Sequence, residues 1–309
     1  VTDLTWRPDT PGVAAEIRPL LLAVAAVDGR PEVPESGLAR EFRGGEHLLA
    51  TDGIELTGSA GGAELVGYAH LDTEGDSFGH QVAEVVVRPD ARRRGIGSAL
   101  VDAVLARADD GVRFWAHGDH PGAVRIAELR GLSRVRELLT MRLDLSTADA
   151  GGPGAPVWPD GVRVRAFEPG RDEAAVVAVN RAAFAWHPEQ GALTVADVEA
   201  TERESWFDPA GFFLAVDTSD RVLGFHWTKV HPGRIGEVYV VGVDPAAQGS
   251  GLGKALTLIG LRHLRALGLP EVMLYVESDN APAVALYSRM GFTRSVADSQ
   301  YARADAKGG

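Results

Sequence analysis

The chain of 309 residues has no cysteine, three methionines and only three lysines (Lys229, Lys254 and Lys307) beside 28 arginines. The missing cysteines exclude disulfides, a thiolate nucleophile and cysteine-ligated zinc. Basic charge is also scarce, with 31 Lys and Arg against 43 Asp and Glu and a formal net charge of −12. Both halves share the deficit: residues 1–150 hold 16 basic and 24 acidic side chains, the remainder 15 and 19. Neutralising nucleic-acid phosphates needs the opposite balance, so no nucleic-acid partner is expected. Long apolar runs are missing too. Leu20 to Val27 is the longest near the start, too short to span a bilayer. Glu16 and Arg18 precede it and no small-residue cleavage site follows, so it reads as the buried face of a helix rather than a signal core. A cytoplasmic protein without membrane association is expected.

Hydrophobic residues make up 45% of the chain, and its length suits two domains. A Pro- and Gly-dense stretch, Asp149-Ala150-Gly151-Gly152-Pro153-Gly154-Ala155-Pro156-Val157-Trp158-Pro159, denies helix and interior strand alike. The expected organisation is therefore a domain over 1–148, a linker over 149–160 and a second domain over 161–309. The first half reads as a helix over 12–27, strands over 47–50, 65–71 and 83–87, a helix over 95–108, a strand over 114–117, a helix over 123–129 and a strand over 137–145. The second repeats the order, with strands over 162–167, 212–216, 222–230, 237–243, 272–276 and 292–302, and helices over 172–184, 251–267 and 281–290. This pattern predicts mixed α/β units, each with a central mixed sheet flanked by helices.

One glycine-rich turn occurs twice, 156 residues apart: Arg92-Arg93-Arg94-Gly95-Ile96-Gly97 and Gln248-Gly249-Ser250-Gly251-Leu252-Gly253. Each follows an apolar run and a proline, and each opens a helix. A strand, a turn rich in backbone N–H groups and a helix N-terminus make a phosphate cradle. Glycines let a diphosphate approach without a Cβ in the way. The turn lacks the Lys-Ser/Thr ending of the nucleoside-triphosphate loop and the third spaced glycine of the dinucleotide fold. A lone copy also fits a plain strand-to-helix connection.

With its strand and helix, Gln248-x-x-Gly251-x-Gly253 resembles the acetyl-CoA-binding motif of the GNAT acetyltransferase superfamily. Asn280-Ala281-Pro282-Ala283-Val284-Ala285-Leu286-Tyr287-Ser288-Arg289-Met290-Gly291-Phe292 resembles that superfamily's second signature, Asn-x-x-Ala-x-x-Leu-Tyr-x-x-x-Gly-Phe. The first half carries a good copy of the first motif and a degraded copy of the second. The segments Ala183 to Gly191, Gly224 to Pro232, Gly236 to Val240 and Leu274 to Asn280 resemble the mycothiol synthase family of tandem acetyltransferases. The resemblance implies two tandem GNAT-like domains and acetyl-CoA as co-substrate. It also implies acetylation of the cysteinyl amine of a cysteine–glucosamine–inositol pseudodisaccharide. The cofactor-binding candidates in the second half are Val241, Gly242, Val243, Gln248, Gly249, Ser250, Gly251, Leu252, Gly253, Lys254, Asn280, Ala281, Pro282, Ala283, Val284 and Ala285. In the first half they are Val85, Val86, Val87, Arg93, Arg94, Gly95, Ile96, Gly97 and Ser98. By the same resemblance Glu35, Glu189, Lys229, Tyr275 and Glu237 contact the substrate in a cleft between the domains, and the protein is expected to be a monomer.

Acetyl transfer to an amine wants a base near the ammonium, an acid near the departing sulfur and a donor for the oxyanion. Superimposing the glycine turns places Glu237 on Gln81. By strand parity Glu237 shares a face with Tyr239, Val241 and Val243, and Glu84 takes the opposite face; a one-residue bulge would undo that parity. Superimposing Gly131 and Gly291 places Tyr287 on Ala127 and Asn280 on His120. The second half is therefore expected to catalyse, with Glu237 as base and Tyr287 as acid, and the first to bind acetyl-CoA without turnover. His187, His226 and His231 lack metal-ligand spacing, and no metal is expected. Two other readings remain open: acetylation of a different amine such as an aminoglycoside, and a non-catalytic acetyl-CoA sensor.

Overall fold

The computed structural model describes residues 2–28, 45–52, 64–76, 78–118, 120–146, 154–187 and 190–304. Two compact units divide the chain, one of residues 1–138 with 296–309 and one of residues 139–295.

In chain order the first unit contains β1 (Thr2–Pro8), α1 (Pro11–Asp28), β2 (Glu46–Asp52), β3 (Glu64–Asp72), β4 (Val82–Val87), α2 (Ile96–Arg107), β5 (Arg113–Ala116), α3 (Pro121–Leu129) and the start of β6 (Leu132–Asp144). The second contains β7 (Arg163–Ala166), α4 (Glu173–Ala183), α5 (Val195–Thr201), β8 (Phe212–Val216), β9 (Val222–Val230), β10 (Ile235–Val243), α6 (Leu252–Ala266), β11 (Glu271–Glu277), α7 (Ala281–Arg289) and the start of β12 (Thr293–Arg303). The end of β12 belongs to the first unit, where Ser299 to Tyr301 pair with β5. The strand orders are β1-β2-β3-β4-β5-β12 in the first unit and β7-β8-β9-β10-β11-β6 in the second. Within each unit one central pair is parallel, β4 with β5 and β10 with β11. None of the described helices is long and apolar enough to cross a membrane.

Each sheet is covered on both faces, which is why the central strands read as nearly unbroken apolar runs. In α1, Val13, Ile17, Leu20, Leu21 and Val24 recur at helical spacing and pack on Tyr68 and Val86. On the other face Ile96, Leu100 and Val104 of α2 meet Leu48, Ala50, Val66 and Ala83. In the second unit Val176 and Val177 of α4 pack on Phe212, Phe225, Trp227 and Val240. Leu252 and Leu256 of α6 pack on Ala215 and Leu223, with Val241 and Val243 beside them. Burying a side chain of this size contributes roughly 1.5–3 kcal/mol.

Two elements have weak sequence signals. β1 is a mostly exposed strand beside β2, with Leu4 and Trp6 as its only large apolar side chains. The seven-residue α5 is too short for periodicity, but Thr194 and Asp197 close a reciprocal capping box at its start. β6 begins at Leu132, five residues before the expected start.

Candidate active site

Parallel β10 and β11 pair only from Ile235↔Glu271 to Glu237↔Met273. β10 continues to Val243, so its backbone edge has no ladder partner on that side among the described residues. Ligands of α/β sheets bind where parallel strands part at their carboxyl ends. A cleft of about 540 Å³ lies here, lined by Val241 and Val243 of β10, Gln248, Gly249 and Gly253 of the turn, Thr257 of α6, and Asp279, Asn280, Pro282, Ala283, Leu286 and Tyr287 around α7. Ala183, Phe184 and Trp186 close it from the end of α4.

The two glycine turns share one backbone. Residues 89–91 and 245–247 each form a short 3₁₀ turn. Gly95 and Gly251 cap their helices at φ 84° and 86°, with no side-chain bond to the first amides. Two residues earlier, Arg93 and Gly249 also adopt the left-handed region, at φ 62° and 78°. Such a turn aims successive N–H groups into one concavity. A Cβ on Gly249 or Gly251 would meet nothing within 4 Å, so the space before the helix is open, as an anion site at a helix N-terminus requires. Gln248 Nε2 donates to the Val243 carbonyl at 3.2 Å, and Arg92 Nε donates to the Val87 carbonyl at 3.1 Å. The leading side chain of each motif thus ties the turn to its strand.

Among the remaining second-half candidates, Gly242 backs onto the Phe225 ring, where a Cβ would come within 2.6 Å. Ser250 donates to the Ala247 carbonyl, Leu252 is core and Lys254 is exposed on the first turn of α6. Ala281, Val284 and Ala285 lie on α7 but do not line the cleft. In the first half Val85, Val86 and Val87 pack against the cores, and Ile96 is buried. Arg94 pairs with Asp52 at 2.6 Å, and the Ser98 carbonyl accepts from Arg130. Gly97 leaves no room for a Cβ without crowding Ile126, while Gly95 faces open space. Arg93 is exposed and has no ion-pair partner among the described residues.

Tyr287 projects from α7 into the cleft and meets Phe292 edge-on, with ring centroids 5.8 Å apart. Burial pushes its phenol up to about 12, so it stays protonated in neutral solution. Asn280 caps α7 by accepting from the Ala283 N–H at 3.2 Å; His120 caps α3 by accepting from the Gly122 N–H at 3.1 Å. Ala127 occupies the place of Tyr287 in α3 and is core.

Glu237 is 4% exposed, and its Oε2 lies 2.8 Å from Nε2 of His231, itself 7% exposed. Lys229 stands opposite Glu237 in the ladder but turns its ammonium onto the rings of Trp206 and Tyr239, 4.7 and 5.2 Å from the centroids. Tyr275, on β11, is 43% exposed. Glu35 and Glu189 lie outside the described residues. Among the described residues no group of three His, Asp or Glu side chains is placed to hold a metal. His226 faces α6, where Nδ1 donates to the Leu256 carbonyl at 2.6 Å.

Strand parity breaks inside β10, so Glu237 does not share a face with Val241 and Val243. The ladder between β9 and β10 shifts register between Val238 and Val240, leaving Tyr239 as a bulge, whereas β3 and β4 pair without a shift. Val241 and Val243 therefore pack toward α6, while Glu237 and Tyr239 share the opposite face with Lys229 and Trp227. Aligned through the pairs Gly67↔Val87 and Gly224↔Val243, Asp72↔Val82 corresponds to Lys229↔Glu237. Val82, not Gln81, is the counterpart of Glu237; neither residue is a carboxylate. Glu84 lies with Tyr68 and Val86 on the α1 face, which corresponds to the α4 face of Glu237, so it is not turned to the opposite side.

That face differs in character between the units. Across β8, β9 and β10 runs the row Phe212–Trp227–Val240; the matching row across β2, β3 and β4 is His47–His70–Glu84. Glu84 pairs with His117 Nε2 at 3.1 Å, and His117 Nδ1 with Asp298 at 3.1 Å. Residue spacing presents His231 only as a metal-ligand candidate and does not reveal it as the partner of Glu237. Its signal is the three-residue hairpin loop Pro232-Gly233-Arg234, which returns the chain so that residues 231 and 237 meet diagonally.

The model of the Acetyltransferase (GNAT) family matches residues 28–131 and 179–292. A mycothiol acetyltransferase of Saccharomonospora viridis is 57% identical over 297 residues, covering 93% of this chain and 94% of the relative. That of Amycolatopsis mediterranei is 55% identical over 311 residues, covering 97% and 99%. Among solved structures, a GCN5-related N-acetyltransferase from Sphaerobacter thermophilus superimposes with a TM-score of 0.70 at 24% identity, covering 96% of this chain and 94% of that one. A tandem GNAT protein from the clavulanic acid biosynthesis pathway gives 0.70 at 19% identity, covering 97% and 98%. These two likenesses bear on the fold.

Proposed function

The chain belongs to the acetyltransferase (GNAT) family and within it to the mycothiol acetyltransferases, and from that premise we propose that it acetylates the cysteinyl amine of cysteine–glucosamine–inositol. Acetyl-CoA supplies the acetyl group as a thioester. The observation that carries this reading is the cleft at the parting of β10 and β11, where the glycine turn, the opened strand edge and the Tyr287 phenol converge.

The turn at Gln248 to Gly253 holds the diphosphate through its uncapped N–H groups and the positive end of α6. Glu237 takes a proton from the substrate ammonium, directly or through water, so that the amine attacks as the neutral form. Backbone N–H groups on the opened edge of β10 stabilise the negative charge that develops on the carbonyl oxygen. Tyr287 hands its proton to the departing sulfur. Lys229 and Tyr275 contact the pseudodisaccharide. The first unit keeps the cradle but has Val82 and Ala127 where base and acid stand in the second, so it binds acetyl-CoA without turnover.

Purified protein with acetyl-CoA is assayed against the cysteinyl pseudodisaccharide, an aminoglycoside and a polyamine. Stoichiometric N-acetylation of the first with thiol release supports the reading. Faster acetylation of either other amine overturns it.

A further inference from the structure

We propose that His231 is a positioning residue for Glu237: its imidazole holds one carboxylate oxygen so that the other is presented to the substrate amine. The proposal rests on Glu237 being the base. A carboxylate only accepts, so in the 2.8 Å contact Nε2 of His231 is the donor and Oε2 the acceptor. Both residues are almost fully buried. The second oxygen, Oε1, has no hydrogen-bond partner among the described residues. One oxygen is held and the other has no donor of its own among the described residues.

Other groups facing the carboxylate do not take over this work. Lys229 lies across the ladder with its ammonium on the Trp206 and Tyr239 rings. The Tyr239 phenol is raised by burial and by the neighbouring charges of Glu237 and Glu204, and it makes an edge contact with Trp206. His231 is thus the one hydrogen-bond partner of the Glu237 side chain among the described residues.

The backbone fixes the imidazole. The His231 N–H donates to the Ile235 carbonyl at 2.9 Å and the Arg234 N–H to the His231 carbonyl at 3.0 Å, with Arg234 in the left-handed region at φ 60°. This closes a three-residue loop whose Pro232 pre-sets the turn. A buried carboxylate without that donor is free to leave its productive rotamer, and a misplacement of about 1 Å at a reacting group can cost about 100-fold in rate.

The test compares His231→Leu, His231→Gln and Glu237→Gln with the wild type, since a glutamine amide reproduces a donor near Nε2. His231→Leu is expected to lower kcat by about 10- to 100-fold with acetyl-CoA affinity little changed and the thermal midpoint lowered by the unpaired buried carboxylate, and His231→Gln to restore most of kcat. In the Glu237→Gln background His231→Leu is expected to have no further effect on kcat. Imidazole nitrogen NMR of the wild type without substrate is expected to show His231 protonated at Nε2. Wild-type kcat in folded His231→Leu, an equal loss in the leucine and glutamine variants, or a ring protonated only at Nδ1 each overturns the proposal. Full activity in Glu237→Gln overturns the assignment of the base and the positioning role with it. Loss in Glu237→Gln without loss in His231→Leu overturns the positioning role alone.

Discussion

Mild acid should destabilise the second unit through one imidazole. His226 is fully buried against α6, in the gap left by Gly260, where a Cβ would collide with its ring. Desolvation lowers its pKa to about 4, opposed by the hydrogen bond to the Leu256 carbonyl and assisted by His263. An unfolded histidine titrates near 6.5. Because the folded value lies below the unfolded one, the unfolded chain takes up the proton first. The contribution is complete above about pH 6.5 and is lost as pH falls toward 4. The loss is about 2 kcal/mol at pH 5 and about 3 kcal/mol once both states are protonated. In His226→Asn the amide keeps a donor near the position of Nδ1 but does not titrate. The assay is urea unfolding followed by tryptophan fluorescence at pH 8 and pH 5. The wild type should lose about 2 kcal/mol more than the variant between these values. Other titrating groups are common to both proteins and cancel. Equal losses in the two would show that His226 does not carry the acid sensitivity.

Three further outcomes are expected. Arg93→Gly relieves a left-handed arginine worth about 1 kcal/mol, less about 0.5 kcal/mol for the entropy of an added glycine; unfolding should show a small gain, and a loss would contradict the strain. Tyr287→Phe removes the phenol while keeping the packing on Phe292, so kcat should fall by about 10²- to 10⁴-fold with acetyl-CoA binding retained; calorimetry and steady-state rates separate the two. Gly95→Val fills the cradle of the first unit, so calorimetry should lose one acetyl-CoA site while turnover persists; abolished turnover in a folded variant would give the first site a catalytic part.

The doubled turn was the most legible feature of the sequence, because strand, proline, turn and helix all recur at a fixed offset. Its detail was less visible. Gly249 announces a left-handed position, but Arg93 adopts the same conformation without a glycine to mark it. The bulge at Tyr239 was also hidden, since an extra residue leaves the apolar run of β10 intact and betrays itself only in pairing with β9. That residue moved the counterpart of Glu237 from Gln81 to Val82 and brought Glu84 onto the corresponding face. The partnership of His231 with Glu237 depends on how a hairpin closes, which residue types alone do not specify. α5 had a legible signal in its capping box, but seven residues carry too little periodicity to compete with loop.

The most direct measurement is the initial rate of acetylation of the cysteinyl pseudodisaccharide by Glu237→Gln at saturating acetyl-CoA, with thermal midpoint and acetyl-CoA binding checked alongside. The expected result is a folded protein that binds acetyl-CoA in both units and turns over about 10²- to 10⁴-fold more slowly than the wild type. A folded variant acetylating at the wild-type rate would contradict it.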